Sequence, residues 1–122
     1  MKVKINPYVY AGIDYSKVPI LNILDNICRT IRVNDTDVIS ESRKIEFVIA
    51  RQIFCFVARE LTGSKYSEIG KVINRDRTSV KYSCKKVRQN LKINDKKTVS
   101  MYEKVKHILC NDFNINKNDK QN

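Results

Sequence analysis

From Ile20 to Leu109 apolar side chains recur every three or four positions, and Gly63 and Gly70 are the only Gly or Pro residues in that stretch. A period near 3.6 held over about ninety residues leaves little room for anything but helices that share a core. The chain is therefore expected to be all-α.

The helices can be placed in turn. Leu21, Leu24, Ile27, Cys28 and Ile31 mark one face of a first amphipathic helix. Asp35 to Ser40 reads as one short helical turn, with acidic residues suited to the positive end of the helix dipole. Ser42-Arg43-Lys44 forms a basic junction. The stretch Ile45 to Leu61 carries Phe47, Val48, Ala50, Ile53, Phe54, Val57, Ala58 and Leu61, a stripe broad enough for the central buried helix. Thr62-Gly63-Ser64 ends it, with Gly63 free to adopt the left-handed cap conformation.

Ser67 reads as the N-cap of a short helix that includes Glu68, Ile69, Gly70, Val72 and Ile73. Asn74-Arg75-Asp76 is a tight polar turn, and Asp76 caps a longer helix that buries Val80, Ser83, Cys84, Val87 and Leu91. Two helices joined by three polar residues, the second studded with Arg, Thr, Ser and Lys, describe a helix-turn-helix over about residues 67–91. A last helix places Val99, Tyr102, Val105, Ile108 and Leu109 on one face. The expected whole is a compact helical bundle over residues 19–110. A short extended N-terminal arm (1–18, with Pro7 and Gly12) precedes it, and a flexible polar tail (111–122) follows.

The net charge of +11 is unevenly spread. Between Arg43 and Lys92 thirteen basic residues face only Glu46, Glu60, Glu68 and Asp76, so this region alone carries +9. A near-neutral scaffold with one basic region suits a polyanionic partner. No run of eighteen apolar residues is present, and the first residues lack a secretory leader, so neither membrane insertion nor export is expected. Cysteines at 28, 55, 84 and 110 are too far apart for paired zinc ligands and fall at helical apolar positions. Free thiols of that kind fit a reducing cytoplasm, and no metal, cofactor or small-molecule substrate is expected.

Several elements then follow one another at close spacing: Ser42-Arg43-Lys44, Ala50-Arg51-Gln52, Ala58-Arg59-Glu60-Leu61-Thr62, Glu68-Ile69-Gly70 and Arg75-Asp76-Arg77-Thr78-Ser79-Val80. Together, from about Ile20 to Leu109, they resemble the C-terminal DNA-binding domain of the bacterial chromosomal replication initiator DnaA. The resemblance implies a helical domain that binds short A/T-containing boxes in duplex DNA. Arg43 matches an arginine that enters the minor groove, Arg51 and Gln52 match residues that approach the phosphate backbone, and Lys86 matches a backbone-contacting lysine. Asp76, Thr78 and Ser79 match residues on the floor of the major groove. Lys44, Lys65, Arg75, Arg77 and Lys81 complete the candidate surface.

Elementary recognition chemistry agrees with these roles. A carboxylate can accept from a cytosine amino group, a threonine methyl can meet a thymine methyl, and an arginine reads a narrow minor groove through its potential. The chain departs from the family at Arg77, where histidine is usual, and at Ser79, where threonine is usual. Ile73-Asn74 also replaces a longer aromatic-Gly-Gly.

No G-x-x-x-x-G-K-[ST] is present, so a standalone form of the domain is expected, of the kind a phage or mobile element carries. The leading reading is sequence-specific binding of double-stranded DNA, as an initiator-like or regulatory protein of the nucleoid. The alternative is a protein-interaction module that engages replication machinery, with DNA contact secondary. Enzymatic chemistry is not expected, because no paired carboxylates join a His or Lys on one face. The oligomeric state stays open, with a monomer favoured.

Overall fold

One helix, Ile45–Thr62, runs through the middle of the molecule, and every other helix packs on it. A computed structural model describes residues 20–113, with side chains placed as far as 109. In chain order the elements are α1 (Ile20–Ile31), α2 (Asp35–Ile39), α3 (Ile45–Thr62), α4 (Tyr66–Ile73), α5 (Arg77–Lys92) and α6 (Lys96–Phe113). No strand occurs among the described residues, so the bundle is all-α. The expected N-terminal arm lies outside them. So do residues 114–122 of the expected tail, although α6 continues to Phe113, past residue 111.

The central position of α3 follows from its sequence. Ile49, Ala50 and Leu61 are buried, as is every residue from Ile53 to Ala58. Such a helix needs neighbours on all sides, and α1, α2, α4, α5 and α6 provide them. Gly63 ends it with φ of +69°, the left-handed cap its position called for, and its N–H donates to the Arg59 carbonyl at 3.0 Å.

Two local expectations are corrected. Leu21 is 64% exposed, whereas Ile23 is fully buried. The stripe of α1 is centred on Ile23, Leu24, Ile27 and Cys28, and Leu21 projects about a quarter-turn off that centre. Ser67 is not the N-cap of α4: Lys65 holds that place, and Ser67 lies exposed in the first turn. The Lys65 N–H donates to the Glu68 carboxylate at 2.9 Å, and the Arg59 guanidinium sits 4.4 Å from the Tyr66 ring, so the helix starts one residue before Ser67. Arg59 also donates to the Ser64 carbonyl at 2.8 Å, which ties the α3–α4 junction together.

The last helix packs more shallowly than its sequence pattern suggested. Val105 and Leu109 are buried, and Val99, Tyr102 and Ile108 are half-buried. Tyr102 meets Phe56 edge-on at 5.7 Å between centroids. In α5, Val80, Cys84 and Val87 are buried as expected, while Ser83 and Leu91 are only half-buried.

Candidate nucleic-acid interface

The first turn of α5 is built to be presented. Asp76 is extended (φ −80°, ψ 170°), and its carboxylate accepts the Ser79 N–H at 2.8 Å. That bond satisfies one otherwise unpartnered donor of the helix start. It is also the main reason the Asp76 carboxyl titrates below its ordinary value. Arg77, Thr78, Ser79 and Lys81 are all exposed around it, and only Val80 turns inward. Because Val80, Cys84 and Val87 define the buried face, the opposite face carries Thr78, Tyr82, Lys85 and Gln89 at successive turns. Lys86, half-buried, lies two turns beyond Ser79.

The turn before α5 is closed by backbone geometry. Asn74 adopts φ of +58° and ψ of 48°, and its N–H donates to the Gly70 carbonyl. The Arg75 N–H donates to the same oxygen at 2.8 Å. Asparagine tolerates the left-handed region better than most residues, so it takes the step that a glycine would otherwise provide. A side chain at Gly70 would collide with the Arg75 carbonyl and crowd Val80. The helix-turn-helix corner therefore closes in spite of its shorter sequence.

A second exposed basic element, residues 40–44, joins α2 to α3. Side-chain hydroxyls fold it locally: Ser40 Oγ accepts the Ser42 N–H and Ser42 Oγ accepts the Lys44 N–H, both at 3.2 Å. Arg43 and Lys44 are exposed there, and Lys44 Nζ lies 5.6 Å from the Phe47 ring.

Arg51 and Arg75 have internal bonding that local sequence patterns do not announce. Arg51 donates from Nε to the Val38 carbonyl at 2.8 Å, and from Nη2 to those of Ser40 and Ser42 at 3.2 Å each. Burial first, and then the charge of Arg75, pulls the Arg51 guanidinium below its ordinary pKa. Arg75 donates from Nη1 to the carbonyls of Ile39 (3.1 Å), Ile73 (3.0 Å) and Asn74 (3.3 Å), and from Nη2 to Ser40 at 2.6 Å.

The candidate residues thus fall into groups. Arg43 and Lys44 on the junction, Arg75 in the turn, and Asp76, Arg77, Thr78 and Ser79 on α5 belong to segments that are bonded to one another through Arg75. Lys81 and Lys86 continue along α5, and half-buried Gln52 neighbours Arg51 on α3. Lys65 stands apart, at the far end of α4, about 12 Å along that helix from the turn. Tyr82, 60% exposed, and Lys85 share the α5 face with Thr78 and were not singled out from sequence. Extending the i, i+4 step from Thr78 would have found Tyr82.

Cys28, Cys55 and Cys84 are buried, and burial is the main cause that pushes their thiols up to about 11, about 12 and about 11. Among the described residues no cluster of His, Cys, Asp and Glu could hold a metal ion, and no helix is long and apolar enough to cross a membrane.

A family model described as the bacterial DnaA protein helix-turn-helix matches residues 20–87, the span from the start of α1 well into α5. Among curated relatives, the chromosomal replication initiator protein DnaA of Bacteroides thetaiotaomicron is 33% identical over 93 residues, covering 75% of this chain and 20% of the relative. Its counterpart in Mycoplasma pneumoniae is 30% identical over 73 residues, or 60% of this chain and 17% of the relative. That of Geotalea uraniireducens is 32% identical over 88 residues, or 71% and 19%. The matched part thus spans a fifth or less of the length of these initiators.

Proposed function

The chain belongs to the bacterial DnaA helix-turn-helix family, and on that premise we propose that it binds double-stranded DNA in a sequence-specific manner, as an initiator-like or regulatory protein. In this reading the first turn of α5 enters the major groove, where Asp76, Arg77, Thr78 and Ser79 meet base edges. Arg43 enters the neighbouring minor groove, with Lys44 beside it. Gln52, Lys65, Lys81 and Lys86 take phosphates, which fix the register of the complex without specifying sequence.

The observation that carries this reading is the capped, fully presented start of α5, exposed from Asp76 to Ser79. The Asp76 bond leaves other N–H groups of that first turn without intrahelical partners, and these attract phosphate or base acceptors. The basic balance of the surrounding region supports the same conclusion.

Selection of bound sequences from a random duplex pool tests it. A short A/T-containing box should emerge, bound in the presence of competitor DNA and with affinity that falls steeply as salt rises. A pool that stays unenriched after repeated rounds would overturn sequence-specific binding.

A further inference from the structure

We propose that Arg75 acts as a positioning residue rather than a DNA contact. It fixes the basic junction to the helix-turn-helix corner, so that the minor-groove and major-groove elements dock as one body. This inference rests on the duplex-binding reading above.

The bonding pattern of Arg75 is divided between two segments. Toward its own turn, Nη1 reaches the carbonyls of Ile73 and Asn74. Across the corner, Nη1 reaches Ile39 and Nη2 reaches Ser40, 36 and 35 residues away in sequence. Ile39 and Ser40 close α2, where carbonyls lack intrahelical partners and the helix dipole favours a cation. Arg51 adds a second guanidinium from α3, shares the Ser40 oxygen and extends to Ser42. Ser42 in turn holds the Lys44 N–H. Arg43 is thereby suspended, exposed, between two points tied to the body of the domain.

Nη1 touches both segments, and the short bond to Ser40 needs the second terminal nitrogen of the planar fork. A lysine ammonium keeps the charge but has one nitrogen on a shorter side chain, so it cannot hold Ser40 while it bonds the turn. With both terminal nitrogens of Arg75 committed to main-chain oxygens, its charge faces inward and not toward a phosphate. Sequence preference beside the α5 site therefore depends on a residue that touches no base.

The test compares wild-type chain, Arg43→Ala, Arg75→Lys, Arg75→Ala and the Arg43→Ala/Arg75→Lys double variant on single-position variants of the selected box, with circular dichroism to verify folding. Arg75→Lys should lose about tenfold in affinity for the A/T-flanked site and show the same weakened flank preference as Arg43→Ala. Preference at the positions read by α5 should be retained, and the double variant should be little worse than either single one. An intact flank preference in Arg75→Lys would overturn the inference while leaving duplex binding standing. So would an even loss across all sequences in Arg75→Ala that Arg75→Lys restores, the mark of a phosphate contact. If Arg75→Lys does not fold, Ser40→Gly decides: loosening the junction should erase flank preference, and an unchanged preference removes the proposal. Failure of the wild-type chain to enrich any sequence would remove both readings together.

Discussion

The Arg75 carbonyl oxygen occupies the space into which a side chain at Gly70 would project. Gly70 is buried on α4, and the returning turn crosses directly over it. Gly70→Ala should therefore open the corner and lower stability by about 1–3 kcal/mol, the usual range for overpacking. Gly63→Ala makes the contrast: nothing lies within 4 Å of the added carbon, and only the positive φ opposes it. Its cost should be about 1–2 kcal/mol with DNA binding unchanged. Urea denaturation of both variants, each paired with a binding curve, separates the two mechanisms.

Asp76 caps α5, and in the proposed reading it also meets a base edge; two variants divide the roles. Asp76→Ala should lower the melting temperature, because the Ser79 N–H loses its acceptor. Asp76→Asn keeps an acceptor and should retain most of the stability while changing base preference at one position. The carboxyl has a lowered folded pKa, so its stabilising contribution is complete above the ordinary carboxylate range and disappears as pH falls through the folded value. A thermal melt series from pH 6 down to pH 2 should show that loss in wild type and not in Asp76→Asn.

Arg77 is exposed in the first turn of α5, at the position where the family resemblance leads one to expect histidine. A guanidinium fork prefers guanine, so Arg77→Ala should cost about 1–3 kcal/mol at one base position and relax it. Arg77→His should shift the preference rather than abolish binding. An equal loss on every sequence, with the salt slope reduced by about one, would instead assign Arg77 to a phosphate.

Tyr82 is a large aromatic side chain, 60% exposed, one turn beyond Thr78 on the same face of α5. A ring held there is expected to pack against the wall of the groove. Tyr82→Ala should weaken specific binding several-fold, on the order of 1 kcal/mol. Tyr82→Phe should recover the packing part of that loss, leaving any hydroxyl–phosphate bond as the remainder. Fluorescence anisotropy on the selected box measures both.

Buried thiols make the fold sensitive to alkali. Cys55 is fully buried, and its thiol is pushed up to about 12 by burial, with the neighbouring Cys84 adding to the effect. Unfolding lets it ionise near its ordinary value of 9.0. Stability is therefore unaffected by this group below pH 9 and falls as pH rises from there toward 12, by at most about 1.4 kcal/mol per pH unit. Cys55→Ala should flatten that part of the pH profile. At neutral pH Cys28, Cys55 and Cys84 should react with thiol reagents only on unfolding.

Local rules brought much of this molecule within reach of its sequence. The span of α3, the left-handed Gly63 and the Asp76 cap each follow from a few neighbouring residues, and each is found where expected. The failures are also local in origin. Leu21 and Ile23 both fit a helical stripe, and only the packing of α1 against α3 and α6 decides which is buried. Ser67 is a good cap by residue type, yet Glu68 and Arg59 draw the cap back to Lys65 and the helix start to Tyr66. The internal bonds of Arg51 and Arg75 were out of reach for another reason. Their acceptors are main-chain carbonyls as many as 36 residues away, and a carbonyl has no signature in sequence.

That last property has a consequence for inheritance. Every acceptor in the clamp around Ser40 is a backbone oxygen, which no point substitution can delete. The bonds that fix the junction to the corner are encoded on the donor side, in the codons of Arg51 and Arg75, while the Ser40 and Ser42 hydroxyls fold the junction itself. If the proposed duplex binding holds, exposed residues on either segment can be exchanged one at a time, and a lineage can acquire a new target box without first reinventing the frame beneath them.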